Sequence, residues 1–61
     1  MKLKELRQAK KLTQIEIAKE LEVSHTTVSM WETGAALPRA GKLIKLADIL
    51  GCTVDELLKE R

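Results

Sequence analysis

The stretch from Leu12 to Gly34, Leu-Thr-Gln-Ile-Glu-Ile-Ala-Lys-Glu-Leu-Glu-Val-Ser-His-Thr-Thr-Val-Ser-Met-Trp-Glu-Thr-Gly, constrains this chain more than any other. Thr13 is a residue type that caps a helix start, and Glu16, three positions on, completes the pattern of a capping box. Ile17, Ala18 and Leu21 then recur at i, i+1 and i+4, which makes one apolar stripe on a helix ending near Leu21–Glu22. Small Ala18 suits a second helix crossing close by. Ser24 can cap that second helix, which runs to about Trp31 or Glu32 with Gly34 just beyond its end. Val28 and Trp31 are three apart and share its inner face. His25, Thr26, Thr27, Ser29 and Met30 are left outside, a face of hydroxyls, an imidazole and a thioether with no charge. Helix surfaces that meet only water are usually charged, so this face is suited to pressing against a partner.

Length and composition bound the rest. Sixty-one residues allow one small domain, 1–61, with little surface to bury. The single Cys52 cannot form an intramolecular disulfide, and its place after Gly51 fits a small buried hydrophobe better than a reactive thiol. An unpaired Cys fits a reducing cytoplasm. No apolar run approaches the roughly 20 residues that span a bilayer, and the amino terminus lacks a signal-peptide core. A soluble, cytoplasmic protein without membrane partners is expected. The net charge of +2 is only mildly basic. The cations are spread before Val23 (Lys2, Lys4, Arg7, Lys10, Lys11, Lys19) and after Gly34 (Arg39, Lys42, Lys45, Lys59, Arg61). This balance neither demands nor excludes nucleic acid, and it predicts weak non-specific binding, which depends on phosphate neutralisation.

Outside the central stretch the pattern stays helical. Residues 2–11 read as a first helix with Leu3 and Leu6 on one face and Arg7 beside them. Ala35-Ala36-Leu37-Pro38-Arg39 is a loop in which Leu37 is expected to tuck inward and Pro38 to sit at the entry of a fourth helix. From Ala40 to Leu50, Leu43, Leu46, Ala47 and Leu50 fall at i, i+3, i+4 and i+7, an amphipathic helix that Gly51 ends. Thr53 and Glu56 suggest a second capping box, with Val54, Leu57 and Leu58 anchoring a last helix to about Lys59 or Glu60. Ile15, Ile44 and Ile49 do not fit the inward stripes, and Ile44 and Ile49 are candidates for an association surface. No strand alternation, repeat or low-complexity segment is present. The expected class is all-α, five helices with short connections.

Helices two and three, with Ile17, Leu21, Val23, Val28 and Trp31 packed about Ala18, have the spacing of a helix-turn-helix. The longer string Leu-Thr-Gln-x-x-x-Ala, continuing to Val-Ser-x-x-Thr-Val-Ser-x-Trp-Glu-x-Gly-x-x-x-Pro, closely resembles the lambda-repressor-like (Cro and Xre) DNA-binding domains, from about Leu3 to Leu58. The resemblance implies a compact five-helix lambda-repressor-like bundle and a partly buried ion pair between Arg7 and Glu32. It also implies that Glu22 stands, in left-handed backbone, where the family usually has Gly. By match of positions, His25, Thr26 and Met30 would read base edges. Gln14, Ser24, Thr27, Ser29, Thr33 and Arg39 would make backbone or mixed contacts. Gln14 begins its helix, where a phosphate oxygen can be held. Relatives often carry Lys or Arg in the loop where this chain has Ala35 and Ala36, so that loop contributes less charge here.

Enzymatic chemistry finds no support in the sequence. One His and one Cys lie far apart without metal-ligand spacing, there is no Gly-rich phosphate loop, and the carboxylates fall on solvated faces or at caps. No cofactor, metal or small-molecule ligand is expected. With one Trp and no Phe or Tyr, recognition of single strands by stacking is disfavoured. The expected function is sequence-specific binding of double-stranded DNA by a small regulator, a repressor occupying a near-palindromic operator as a homodimer joined near Ile44, Ile49 or Leu58. The alternative is a protein-interaction module, an antitoxin-like component or a coregulator, towards which the uncharged third helix and the Ala-rich loop lean.

Overall fold

A computed structural model describes residues 1–59. In them five helices follow one another: α1 Leu3–Ala9, α2 Gln14–Leu21, α3 His25–Thr33, α4 Ala40–Leu50 and α5 Val54–Leu58. There is no strand among the described residues. The most extensive contact is between α2 and α3. Further contacts join α2 to α4, α4 to α5 and α1 to α3. The backbone N–H of Lys2 donates to the Leu57 carbonyl at 2.8 Å, which ties the start of the chain to α5.

The apolar stripes meet in one core. Leu3, Ile17, Ala18, Leu21, Val28, Trp31, Leu46, Ala47, Leu50 and Leu57 are buried, with Leu6, Leu12, Val23, Leu43, Ile49, Cys52 and Val54 packed against them. Burial pushes the Cys52 thiol up from its ordinary range, and the nearby Glu56 charge adds to the shift. The group therefore stays a thiol at neutral pH rather than a reactive thiolate. Two side chains differ from the sequence reading. Leu37 turns outward, 74% exposed, and Pro38 is buried in its place. The buried pyrrolidine takes the corner where the loop enters α4, and Leu37 stands at the rim of a recess lined also by Val23, Thr27 and Trp31. Leu58 is likewise exposed, because in the short α5 Leu57 and Val54 face the core and Leu58 falls outside that stripe.

The helix starts follow cap chemistry. Thr13 accepts from the Glu16 N–H at 3.0 Å, and the Glu16 carboxylate accepts from the Thr13 N–H at 2.8 Å. That backbone hydrogen bond, followed by the bond to the Thr13 side chain, holds the Glu16 carboxyl below its ordinary value. The cap is thus fully formed above the ordinary Glu range and fades as pH falls through the lowered value. At α5 only half of the expected box exists. Thr53 accepts from the Glu56 N–H at 3.0 Å, while the Glu56 carboxylate reaches forward to Lys59 at 3.6 Å. The helix reading to Lys59 therefore runs past its end at Leu58, and Glu60 lies outside the described residues.

Three helices stop by one device. In α1 the Lys11 and Leu12 N–H groups donate to Gln8 and Arg7. In α2 those of Glu22 and Val23 donate to Lys19 and Ala18, and in α4 those of Gly51 and Cys52 donate to Asp48 and Ala47. Each pair closes the last turn around a left-handed residue, the double-bonded stop that satisfies terminal carbonyls. Gly51 suits that conformation, whereas Lys11 (φ 58°) and Glu22 (φ 57°) carry a Cβ into it. The stop at Lys11 is why α1 ends at Ala9 rather than extending to residue 11. The left-handed backbone costs a non-Gly residue on the order of 1 kcal/mol. Glu22→Gly should therefore raise stability by up to about 1 kcal/mol, read as a higher denaturant midpoint at unchanged slope. A lower midpoint would show that the Glu22 side chain supports the turn.

Candidate nucleic-acid interface

The turn between α2 and α3 is three residues long. Left-handed Glu22 reverses the chain, Val23 packs against the core, and Ser24 is extended (φ −76°, ψ 156°) as the cap of α3. Lys42 on α4 donates to the Leu21 carbonyl at 2.6 Å, so a cation seals the end of α2. No local pattern signals this long-range bond.

Val28 and Trp31 anchor α3 from beneath, Val28 fully buried and Trp31 5% exposed. The helix extends to Thr33, one or two residues past the expected end, and Gly34 closes it with φ 87°. His25, Thr26, Met30 and Thr33 are exposed, while Thr27 and Ser29 are half-buried. The first turn holds no carboxylate. The positive end of the helix dipole is therefore left uncompensated, which favours an approaching anion. Ser24 is the cap: its Oγ accepts from the Thr27 N–H at 3.2 Å and pairs with the Thr27 hydroxyl at 2.8 Å, while the residue stays exposed. The Thr33 hydroxyl donates to the Met30 carbonyl at 3.2 Å. Arg39 is exposed and precedes α4 without making a cap bond of its own.

Behind this face runs a chain of polar side chains. Arg7 donates through Nε to Glu32 at 2.6 Å and through Nη2 at 3.3 Å, and through Nη1 to the Leu12 carbonyl at 2.8 Å. The pair is nearly closed to water, with side-chain exposures of 12% for Arg7 and 5% for Glu32. Gln14 donates from Nε2 to Glu32 at 2.8 Å, and its Oε1 lies 2.6 Å from His25 Nε2. Four residues from α1, α2 and α3 are thereby joined from the buried ion pair to the first residue of the exposed helix. Sequence reasoning gave Gln14 a backbone or mixed contact with DNA and no partner within the chain. Its amide in fact links Glu32 to His25, with one Nε2 hydrogen left for a phosphate.

A second surface involves α4 and α5. Ile44 is 64% exposed beside a shallow recess of about 520 Å³ between α4 and α5, lined among others by Lys45, Asp48, Cys52 and Val54. Ile49 packs against the core, so of the three association candidates Ile44 and Leu58 are the exposed ones. Among the described residues no group of His, Cys, Asp and Glu could hold a metal ion. No helix there is long and apolar enough to cross a membrane.

Two short helices around a left-handed turn, the second anchored by Trp31 and bearing an uncharged outer face, define a helix-turn-helix domain. The family described as helix-turn-helix matches residues 3–57, and the chain belongs to it, in its Cro/Xre branch. The chain is 42% identical over 57 residues to the HTH-type transcriptional activator BcrR of Enterococcus faecalis, covering 93% of this chain and 28% of that protein. It is 39% identical over 61 residues to the cryptic phage CTXphi transcriptional repressor RstR of Vibrio cholerae, covering 93% and 54%. The HTH-type transcriptional regulator DicA of Escherichia coli is 42% identical over 43 residues, covering 70% and 32%. The chain thus spans about half or less of the length of these relatives. Family and relatives are those of a regulator rather than an enzyme. No solved structure matches the chain significantly.

Proposed function

We propose that the chain binds double-stranded DNA sequence-specifically, with the amino-terminal end of α3 in the major groove. The observation that carries this reading is the outer face of α3: exposed His25, Thr26 and Met30, no carboxylate in the first turn, and a rigid support reaching back to a buried ion pair. His25, Thr26 and Met30 read base edges. Ser24, Thr27, Ser29, Thr33, Arg39 and the free amide hydrogen of Gln14 make backbone or mixed contacts. Transcriptional regulation is the role in the relatives' names, which include both an activator and a repressor. We read this chain as a cytoplasmic repressor, since occupying an operator needs no surface beyond the one described.

One short helix reads only a few base pairs, so a two-fold homodimer on inverted half-sites about one helical turn apart supplies a unique address. Ile44 and Leu58 form its contact. Lys45 and Asp48 line the recess beside Ile44, opposite charges that a two-fold contact can pair with themselves. Gel mobility shift with random duplex at several salt concentrations tests the DNA reading. The logarithm of the affinity should fall linearly with the logarithm of salt, with a slope of about −0.9 per neutralised phosphate. Affinity indifferent to salt would instead favour a protein partner.

A further inference from the structure

We propose that His25 reads DNA as a hydrogen-bond acceptor, through Nδ1, and so contacts the exocyclic amine of adenine or cytosine rather than the acceptor edge of guanine. The proposal rests on the base-reading role given above and adds its polarity. Glu32 is paired with Arg7 and presents only acceptor oxygens. The Gln14 side chain meets Glu32 Oε1 at 2.8 Å, and only its amide nitrogen can donate there. The reverse orientation would set oxygen against oxygen. Gln14 Oε1 is thereby aimed at His25, 2.6 Å from Nε2. An amide oxygen brings no proton to that bond, so Nε2 must carry it. A neutral imidazole holds a single proton. Nδ1 therefore keeps its lone pair, with no partner among the described residues, on an exposed side chain in the first turn of α3.

The major groove sorts bases by this polarity. Cytosine N4 donates, adenine sets its N6 donor beside an N7 acceptor, and guanine O6 and N7 and thymine O4 accept, so an acceptor imidazole meets adenine through N6 alone. An unsupported imidazole can exchange tautomers and serve either kind of edge. Here the Arg7–Glu32 pair, almost closed to water, sets the direction of Gln14, and Gln14 sets the proton of His25. Arg7, Glu32 and Gln14 are positioning residues for this contact, and His25 is the one that touches the base.

Two measurements test the proposal. In the free protein at about pH 8, where an ordinary imidazole is neutral, long-range nitrogen–proton NMR should show one His25 tautomer with the proton on Nε2. Gln14→Leu should return it to a mixture. On bound duplex, the base whose preference vanishes in His25→Ala is then replaced by its des-amino analogue, purine for adenine or 2-pyrimidinone for cytosine. This should weaken the parent roughly tenfold, as for one lost base contact, and leave His25→Ala unaffected. A proton on Nδ1 overturns the acceptor role and leaves DNA reading intact. So does a His25-dependent loss of affinity on 7-deazaguanine. If no duplex is bound in a salt-dependent way, the DNA reading itself fails and takes the contact with it, even where the tautomer is as expected.

Discussion

Trp31→Ala should leave the chain largely unfolded at room temperature. The indole is the largest buried side chain and the chain has no Phe or Tyr; it lies 5% exposed in the core that all five helices share. Truncating a buried Trp costs about 3–5 kcal/mol. At roughly 0.05–0.15 kcal/mol per residue, a chain of 61 residues has a total stability of about 3–9 kcal/mol. One substitution thus removes from a third of it to all of it. Circular dichroism during thermal melting checks the result, with Trp31→Phe as a control that keeps a ring in the site and retains a cooperative melt. A Trp31→Ala protein that melts cooperatively within a few degrees of the parent would show that the core closes without the indole.

Arg7→Met should cost about as much, roughly 3–5 kcal/mol, for a different reason. The substitution leaves Glu32 almost closed to water with no countercharge, and breaking a buried pair by removing one partner carries that penalty. Replacing both, Arg7→Met with Glu32→Leu, should recover most of the loss, because apolar groups of similar volume often substitute for a buried pair at little cost. Stability and recognition then separate. The double variant folds, yet Gln14 has lost the acceptor that sets its amide and so no longer fixes the proton of His25. It should hold DNA with blurred base preference at the His25 contact. Denaturant titration of the three variants checks the first half. A double variant no more stable than Arg7→Met would contradict it and point to the Arg7 bond to the Leu12 carbonyl as the main contribution.

The frame of the domain was legible in the sequence because its signals are local. Thr13 with Glu16, Ser24, Gly34 and Gly51 mark helix ends by chemistry that acts within four residues, and the stripe Ile17–Ala18–Leu21 needs only helical periodicity. What could not be read depends on residues far apart in the chain. Lys42 reaching the Leu21 carbonyl spans 21 positions, and Gln14 bonding Glu32 spans 18. Neither has a local pattern to betray it. Leu37 and Pro38 exchanged places because hydrophobicity ranks Leu above Pro, while the geometry of the corner decides which one is enclosed. The missed left-handed turn at Lys11 is local, yet equally silent. A Lys gives no hint of positive φ, and the stop becomes visible only in the paired bonds to Gln8 and Arg7.

The central claim, that the outer face of α3 reads duplex DNA, is tested most directly by selecting bound sequences from a random duplex pool with the parent and with Thr26→Ala and Met30→Ala. The parent should enrich two inverted half-sites about one helical turn apart, each with thymines beside a purine where the Thr26 and Met30 methyls can pack. Each variant should alter the preferred bases at its own position, with a change in discrimination of roughly 1–3 kcal/mol and a nearly unchanged salt slope. No enrichment from the pool, or the same consensus from all three proteins, would contradict the account and move the function of this face to a protein partner.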